Sequence, residues 1–138
     1  MTKSAVLLAV AGLLGGTDHI PRIANQGLDI PKNEIASKKI EALSGSRVAA
    51  FQLYNYYDAV LLNREESLYW VTISAENDYP SGMYALGFRL AGVHDAQSRT
   101  RARYWLEKAE KNGEPLARGI LKQLEIPAPE GNEPTNAR

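Results

Sequence analysis

Few side chains in this sequence are spaced to do covalent chemistry. His94-Asp95 has the composition of a base with an orienting carboxylate, and Asp18-His19 holds the same pair reversed. A general base must reach the proton it takes, beside a nucleophile or a bound substrate. No nucleophile stands beside either pair. The two histidines lie 75 positions apart and the chain has no cysteine, so no zinc-ligand spacing, thiolate or disulfide can be read from it. Arg99, Arg101 and Arg103 alternate, which on a helix spreads them over more than one face. Mixed with Glu107 and Glu110, they read as a solvated surface rather than a phosphate strip. Lys38-Lys39 reads as an ordinary exposed pair. Sixteen basic residues balance sixteen acidic ones. Nucleic-acid binding usually rests on a basic excess that releases counterions, so that partner class is not expected. No catalytic residue, metal ligand or cofactor is assigned.

The elements that would position a recognition surface are helical. A chain of 138 residues with 44% hydrophobic content is expected to form one modest domain. Residues 80–113 read as two antiparallel helices. Gly82, Leu86 and Leu90 fall four apart on the first, and Ala102, Trp105, Leu106 and Ala109 make an i, i+3, i+4, i+7 stripe on the second. The same design precedes it. Ala49, Leu53 and Tyr57 stand 33 residues before Gly82, Leu86 and Leu90, and Ser67, Trp70, Val71 and Ser74 stand 35 before the second stripe. Tyr69-Trp70 and Tyr104-Trp105 repeat as dipeptides. After Gly113 the pattern starts again, with Pro115 suited to a first helical turn and Ala117 and Leu121 continuing the stripe. Helical spacing makes the tryptophans core residues rather than a base-stacking platform.

The ends of these helices carry their own signals. Asn33 is expected to cap a helix bearing Ala36, Ile40 and Leu43 on one side. Gly45 suits the left-handed position after it, and Ser46 the next N-cap. Asn63 and Glu66 have the spacing of a capping box before the Trp70 helix.

A helix-pair period near 35 residues is the mark of tetratricopeptide-type solenoids. In detail the chain resembles the Sel-one-like repeat (SLR) family. The second copy carries that family's residues at Leu86-Gly87, Gly92-Val93, Asp95, Ala102, Trp105, Lys108-Ala109 and Gly113. The first copy keeps Ala49, Leu53, Tyr57, Trp70 and Ala75, but has Tyr54 for the packing glycine and Asp78 for the terminal one. The likeness covers roughly residues 46–124. It implies an all-α fold, a short α-solenoid of antiparallel helix pairs with about two and a half repeats. Gly87 would then permit close helix approach, and Trp105 would fill the seam to the next repeat. It also implies a scaffold without catalysis whose first helices line the inner, gripping surface. On that surface Gln52, Asn55, Tyr56 and Arg89 are expected to meet the partner, since tyrosine and arginine are favoured interface anchors.

The remaining segments read as follows. Lys3 precedes an apolar run over residues 5–16, of signal-peptide length and too short to span a bilayer, or alternatively an N-terminal helix. Residues 17–32 read as a linker, 33–124 as the repeat domain and 125–138 as a disordered tail. The expected location is periplasmic or exported, with the cytoplasm as the alternative. The expected function is a protein-binding module that holds one protein partner; its most concrete form is an immunity protein against a secreted toxin. The alternative is a self-associating assembly factor of the bacterial envelope.

Overall fold

A computed structural model describes residues 28–125. The apolar run, most of the linker, Asp18-His19 and nearly all of the tail lie outside the described residues. Six helices follow in order: α1 (Ile35–Leu43), α2 (Arg47–Asn55), α3 (Arg64–Glu76), α4 (Pro80–Ala91), α5 (Ala96–Lys111) and α6 (Ala117–Glu125). A π-helical turn, Tyr56–Val60, extends α2. Each helix packs on the next, and α2 also meets α4 as α4 meets α6. The architecture is the expected all-α stack of antiparallel pairs. Two hairpins, α2–α3 and α4–α5, stand between the single helices α1 and α6.

Capping chemistry sets the helix starts. The Ser46 hydroxyl accepts from the Ala49 N–H at 3.2 Å, Asn63 Oδ1 from Glu66 N–H at 3.1 Å, and Asp95 Oδ1 from Ser98 N–H at 2.8 Å. The ends repeat as well. Gly45 (φ 104°), Asp78 (φ 59°) and Gly113 (φ 90°) take the left-handed conformation just past α1, α3 and α5. Asp78 holds it without glycine's freedom. Its carbonyl accepts from Arg47 at 3.2 Å and its carboxylate pairs with Lys108 at 2.8 Å, so the strained residue ties both hairpins.

Four local expectations are corrected. Asn33 does not cap α1, which begins at Ile35 without a side-chain cap. Glu66 completes no capping box: its carboxylate turns to Trp70 Nε1 at 2.9 Å and to Lys39 at 3.6 Å. The partial desolvation of an indole N–H offers a stronger claim on that carboxylate than a solvated cap. The stripe Ala36, Ile40 and Leu43 faces solvent, and Ala42 is the α1 residue packed into the core. Pro115, moreover, stands in the turn before α6 rather than inside it.

Two apolar clusters follow the repeats. One gathers Ala42, Ala49, Ala50, Leu53, Tyr57 and Trp70; the other runs from Val71 and Ala75 through Met83, Leu86, Ala102, Trp105, Leu106 and Ala109 to Leu124. Small residues set the helix spacing. A Cβ on Gly87 would lie 2.7 Å from Leu106 Cγ, and one on Gly82 would lie 2.5 Å from Ser74 Oγ. Gly87 therefore sits at the close approach of α4 and α5, while Gly82 does the same between hairpins. Gly92 ends α4 with an ordinary right-handed φ of −76°.

The π turn goes with a difference in the spacing of the caps. Ser46 to Asn63 is one residue longer than the corresponding span from Tyr79 to Asp95. A π turn accommodates one extra residue within a helix without breaking it. The hydrogen bond from Leu61 N–H to the Tyr56 carbonyl, 3.1 Å, closes the wide turn, and Leu62 (φ 52°) leaves it in the left-handed region.

Candidate partner-binding face

The solvent-facing ridge of each first helix forms the candidate site. On α2 it comprises Val48, Phe51, Gln52 and Asn55, at i, i+3, i+4 and i+7, opposite the buried Ala49, Ala50 and Leu53. Thirty-three residues later, α4 presents Ser81, Tyr84 and Phe88, while Ala85 at the fourth position is buried. A further 35 on, Leu116, Gly119, Ile120 and Gln123 continue the ridge at α6. No position on these three ridges holds a charged residue. The corresponding ridges of the second helices differ: Glu65 and Glu76 stand on α3, and Arg103, Glu107 and Lys111 on α5.

Aromatic rings give the uncharged face its relief. Phe88 is 54% exposed and stacks on half-buried Tyr84, with ring centres 6.1 Å apart. Phe51 leans on Tyr54 at 5.3 Å and meets the edge of Tyr79 at 5.1 Å. Phe51, Tyr54 and Tyr84 pack on the core beneath, so they offer apolar area at little entropic cost on binding.

Of the four residues expected to grip a partner, Gln52 and Asn55 lie on this ridge. Tyr56 does not. It is only 5% exposed and packs edge-on against Tyr57 at 5.4 Å. It falls seven after Ala49 and three after Leu53, so the buried stripe simply includes it. Arg89 is drawn inward too. Its guanidinium donates to Asp58 Oδ1 at 2.8 Å and to Ser67 Oγ at 2.9 Å, and lies 5.8 Å from the Tyr54 ring centre. Ser67, fully buried, donates in turn to Asp58 or the Arg64 carbonyl. The cluster joins the π turn, α3 and α4, and Arg89 is its staple. Burial, and then the Asp58 charge, push the Tyr54 hydroxyl above its ordinary pKa. Phe51, Tyr84 and Phe88 were the ridge residues missing from the sequence reading; the signal was the 33-residue register of Phe51 with Tyr84 and Asn55 with Phe88.

The repeat positions Ala49, Leu53, Tyr57, Trp70, Leu86, Gly87, Ala102, Trp105 and Ala109 are all buried, and Gly113 takes the turn conformation. Lys39 is not an ordinary surface lysine. Its ammonium sits 5.2 Å from the Tyr57 ring centre and 5.6 Å from that of Trp70. The Tyr57 hydroxyl first, and Glu66 after it, raise its pKa.

The histidine and arginine candidates disperse. Asp95 is occupied by its capping bonds to Ser98, which lower its pKa, while His94 is exposed beside it. Arg99 donates to the Leu124 carbonyl on α6, and Arg101 lies 4.8 Å from the Tyr104 ring centre. The three alternating arginines thus share no anion site. Among the described residues no group of three histidine, aspartate or glutamate side chains could hold a metal, and no helix is long and apolar enough to cross a membrane.

Comparison of the chain with protein-family models, curated proteins and solved structures returns no match in any of the three.

Proposed function

We propose that this chain is a non-catalytic protein-binding module of the Sel-one-like kind, which holds one protein partner along the first-helix ridges of α2, α4 and α6. The observation that carries this reading is the uncharged, ring-bearing ridge, set in a sequence of which 23% is charged. Binding there would be driven by burial of apolar area around Phe51, Tyr84 and Phe88, with Gln52 and Asn55 supplying hydrogen bonds at the rim. In its concrete form the partner is a secreted toxin that the module blocks in the periplasm; this form rests on the family likeness and the apolar run of residues 5–16.

The end helices favour this reading over end-to-end self-association. At the places where α3 and α5 carry Ser67 and Ala102, Val71 and Leu106, and Ser74 and Ala109, Glu34 stands just before α1 and Lys38 and Glu41 stand on it. Where α4 carries Met83, Gly87 and Leu90, α6 carries Arg118, Lys122 and Glu125. Charges at these outer positions disfavour end-to-end stacking, while Ile40 and Leu43 of α1 stay exposed beside them.

The test is recovery of a partner from the native host by the wild type and by a Phe51→Glu/Phe88→Glu double variant of unchanged helicity. One protein is expected with the wild type and none with the variant. Its affinity for the purified module should change less than about threefold between low and high salt, because no charge on the ridge is screened. Equal recovery by both proteins would contradict the reading.

A further inference from the structure

The sequence holds a single asparagine followed by glycine, Asn112-Gly113, and the pair stands at the joint between α5 and α6. We propose that this pair is a modification site. The Asn112 amide cyclises onto the Gly113 nitrogen whenever the last turn of α5 opens, and the acidic products release α6 from the stack. The proposal does not depend on the reading of the ridge as a binding face.

The reaction needs only water and hydroxide. The Gly113 nitrogen, its proton taken by hydroxide, attacks Asn112 Cγ. The new C–N bond closes a five-membered imide, and the Cγ–Nδ2 bond breaks as ammonia leaves. Water then adds to either imide carbonyl, giving aspartate or isoaspartate without any change of oxidation state. Glycine favours this step because no side chain hinders its nitrogen or the turn that the ring requires. Closure is intramolecular, so its rate follows how often the two atoms reach attack geometry.

The fold withholds that geometry. For the ring to close, Cβ and the Gly113 nitrogen must eclipse about the Cα–C bond of Asn112; at ψ 14° they stand well apart. Both reacting groups are engaged as well. Asn112 Nδ2 donates to the Lys108 carbonyl at 2.7 Å, and the Gly113 N–H donates to the Glu110 carbonyl at 3.0 Å. Yet the gate is shallow. Asn112 and Gly113 are both exposed at a helix end, where opening costs little. A shallow cavity of about 250 Å³ lies against Gly113, between Glu110, Glu114 and Arg118. The equivalent joint of the first copy differs. Asn77, 35 residues earlier, is followed by Asp78, whose side chain crowds the nitrogen and whose bonds to Arg47 and Lys108 hold the turn.

The products do not restore the joint. Aspartate has no N–H to give the Lys108 carbonyl, and it sets a negative charge at the carbonyl end of α5. Isoaspartate adds a methylene to the main chain before Gly113. The Gly113 and Glu114 N–H groups then leave register with the Glu110 and Ala109 carbonyls that they now meet at 3.0 Å. Beyond that turn α6 is held by few buried residues, Ala117 and Leu124. Because α6 carries the third ridge, its release would also shorten the binding face; that consequence alone rests on the reading of the ridge.

The test follows ammonia release and peptide mass in the full chain, in mildly alkaline buffer, folded and in guanidinium chloride. Conversion is expected at Asn112 in both samples and absent in an Asn112→Gln chain, whose longer side chain disfavours the ring. The folded chain should convert about 10–100-fold more slowly than the unfolded one, the factor that an opening of about 1.4–2.7 kcal/mol imposes. In the modified chain, isolated from the folded sample, the amides of α6 should exchange with solvent at least about tenfold faster, while those of α2 and α3 keep their protection. A slowdown outside that range, first conversion at Asn77 or another asparagine, or unchanged exchange in α6 would each overturn the proposal.

Discussion

Ser67 and Arg89 show how one buried hydroxyl and one half-buried cation settle each other's roles. A fully buried hydroxyl without partners would carry a desolvation cost, and Ser67 meets Asp58, Arg89 and the Arg64 carbonyl. Arg89 is thereby committed to the fold. Arg89→Met, which keeps most of the aliphatic stem, is expected to lower stability by about 1 kcal/mol in urea unfolding, a modest figure because Asp58 remains partly solvated. Partner recovery should survive the change. The sequence displays Arg89 as a polar residue between Leu86 and Leu90, and nothing in its spacing reveals Asp58, 31 positions earlier, as its partner. Tyr56 was legible by contrast, since i+3 from Leu53 and i+7 from Ala49 place it inside.

Ionisation at the residue scale gives a pH profile with a defined sign. Lys39 is held above its ordinary value of 10.5, so its contribution is complete below that pH and is lost as pH rises through the higher folded value. Tyr54 is raised above 10.0, chiefly by burial, so ionisation of the unfolded chain's tyrosine draws the equilibrium toward unfolding above pH 10. Asp95 lies below its ordinary value of 3.8; its contribution is complete above that pH and lost as pH falls through the lower folded value. The urea midpoint should therefore be flat through neutrality and fall in alkali. Tyr54→Phe should make the alkaline fall shallower, and an identical fall in both proteins would contradict the assignment.

At the scale of elements, the hairpins depend on where Cβ atoms are missing. Gly87→Ala would force its methyl against Leu106, itself fully buried, and near the Ala102 carbonyl. A loss of about 1–3 kcal/mol is expected by urea unfolding. The periodicity of 33 to 35 residues made both hairpins legible, as did the Ser46 and Asn63 caps. The π turn was not, because a one-residue excess between two caps can be absorbed in a loop or in a helix with equal economy in the sequence. Nor was the rotation of α1. Its apolar residues Ala36, Ile40 and Leu43 face solvent, while Ala42 and the partly buried Ile35 pack against the core.

Across the described residues, charges stand at the outer positions of both end helices. Replacing Glu34, Lys38 and Glu41 together by leucine would give the α1 end an apolar edge like the one α5 presents through Ala102, Leu106 and Ala109. Light scattering should then show association that rises with concentration, against a wild type of constant mass. Concentration-dependent mass in the wild type would instead favour the self-assembly alternative. The all-α stack was readable from the repeat, yet the charges at its outer positions and the uncharged first-helix surface emerge only when equivalent positions of all six helices are aligned in space.

The central claim is that this surface, and not the second-helix one, meets the partner. Its most direct measurement places a photo-crosslinking residue at position 88, and separately at position 104, in chains otherwise native and expressed in the host. Phe88 and Tyr104 are about equally exposed, at 54% and 48%. A single cross-linked protein from position 88 and none from position 104 is the predicted result. The same product from both positions, or one from position 104 alone, would contradict it.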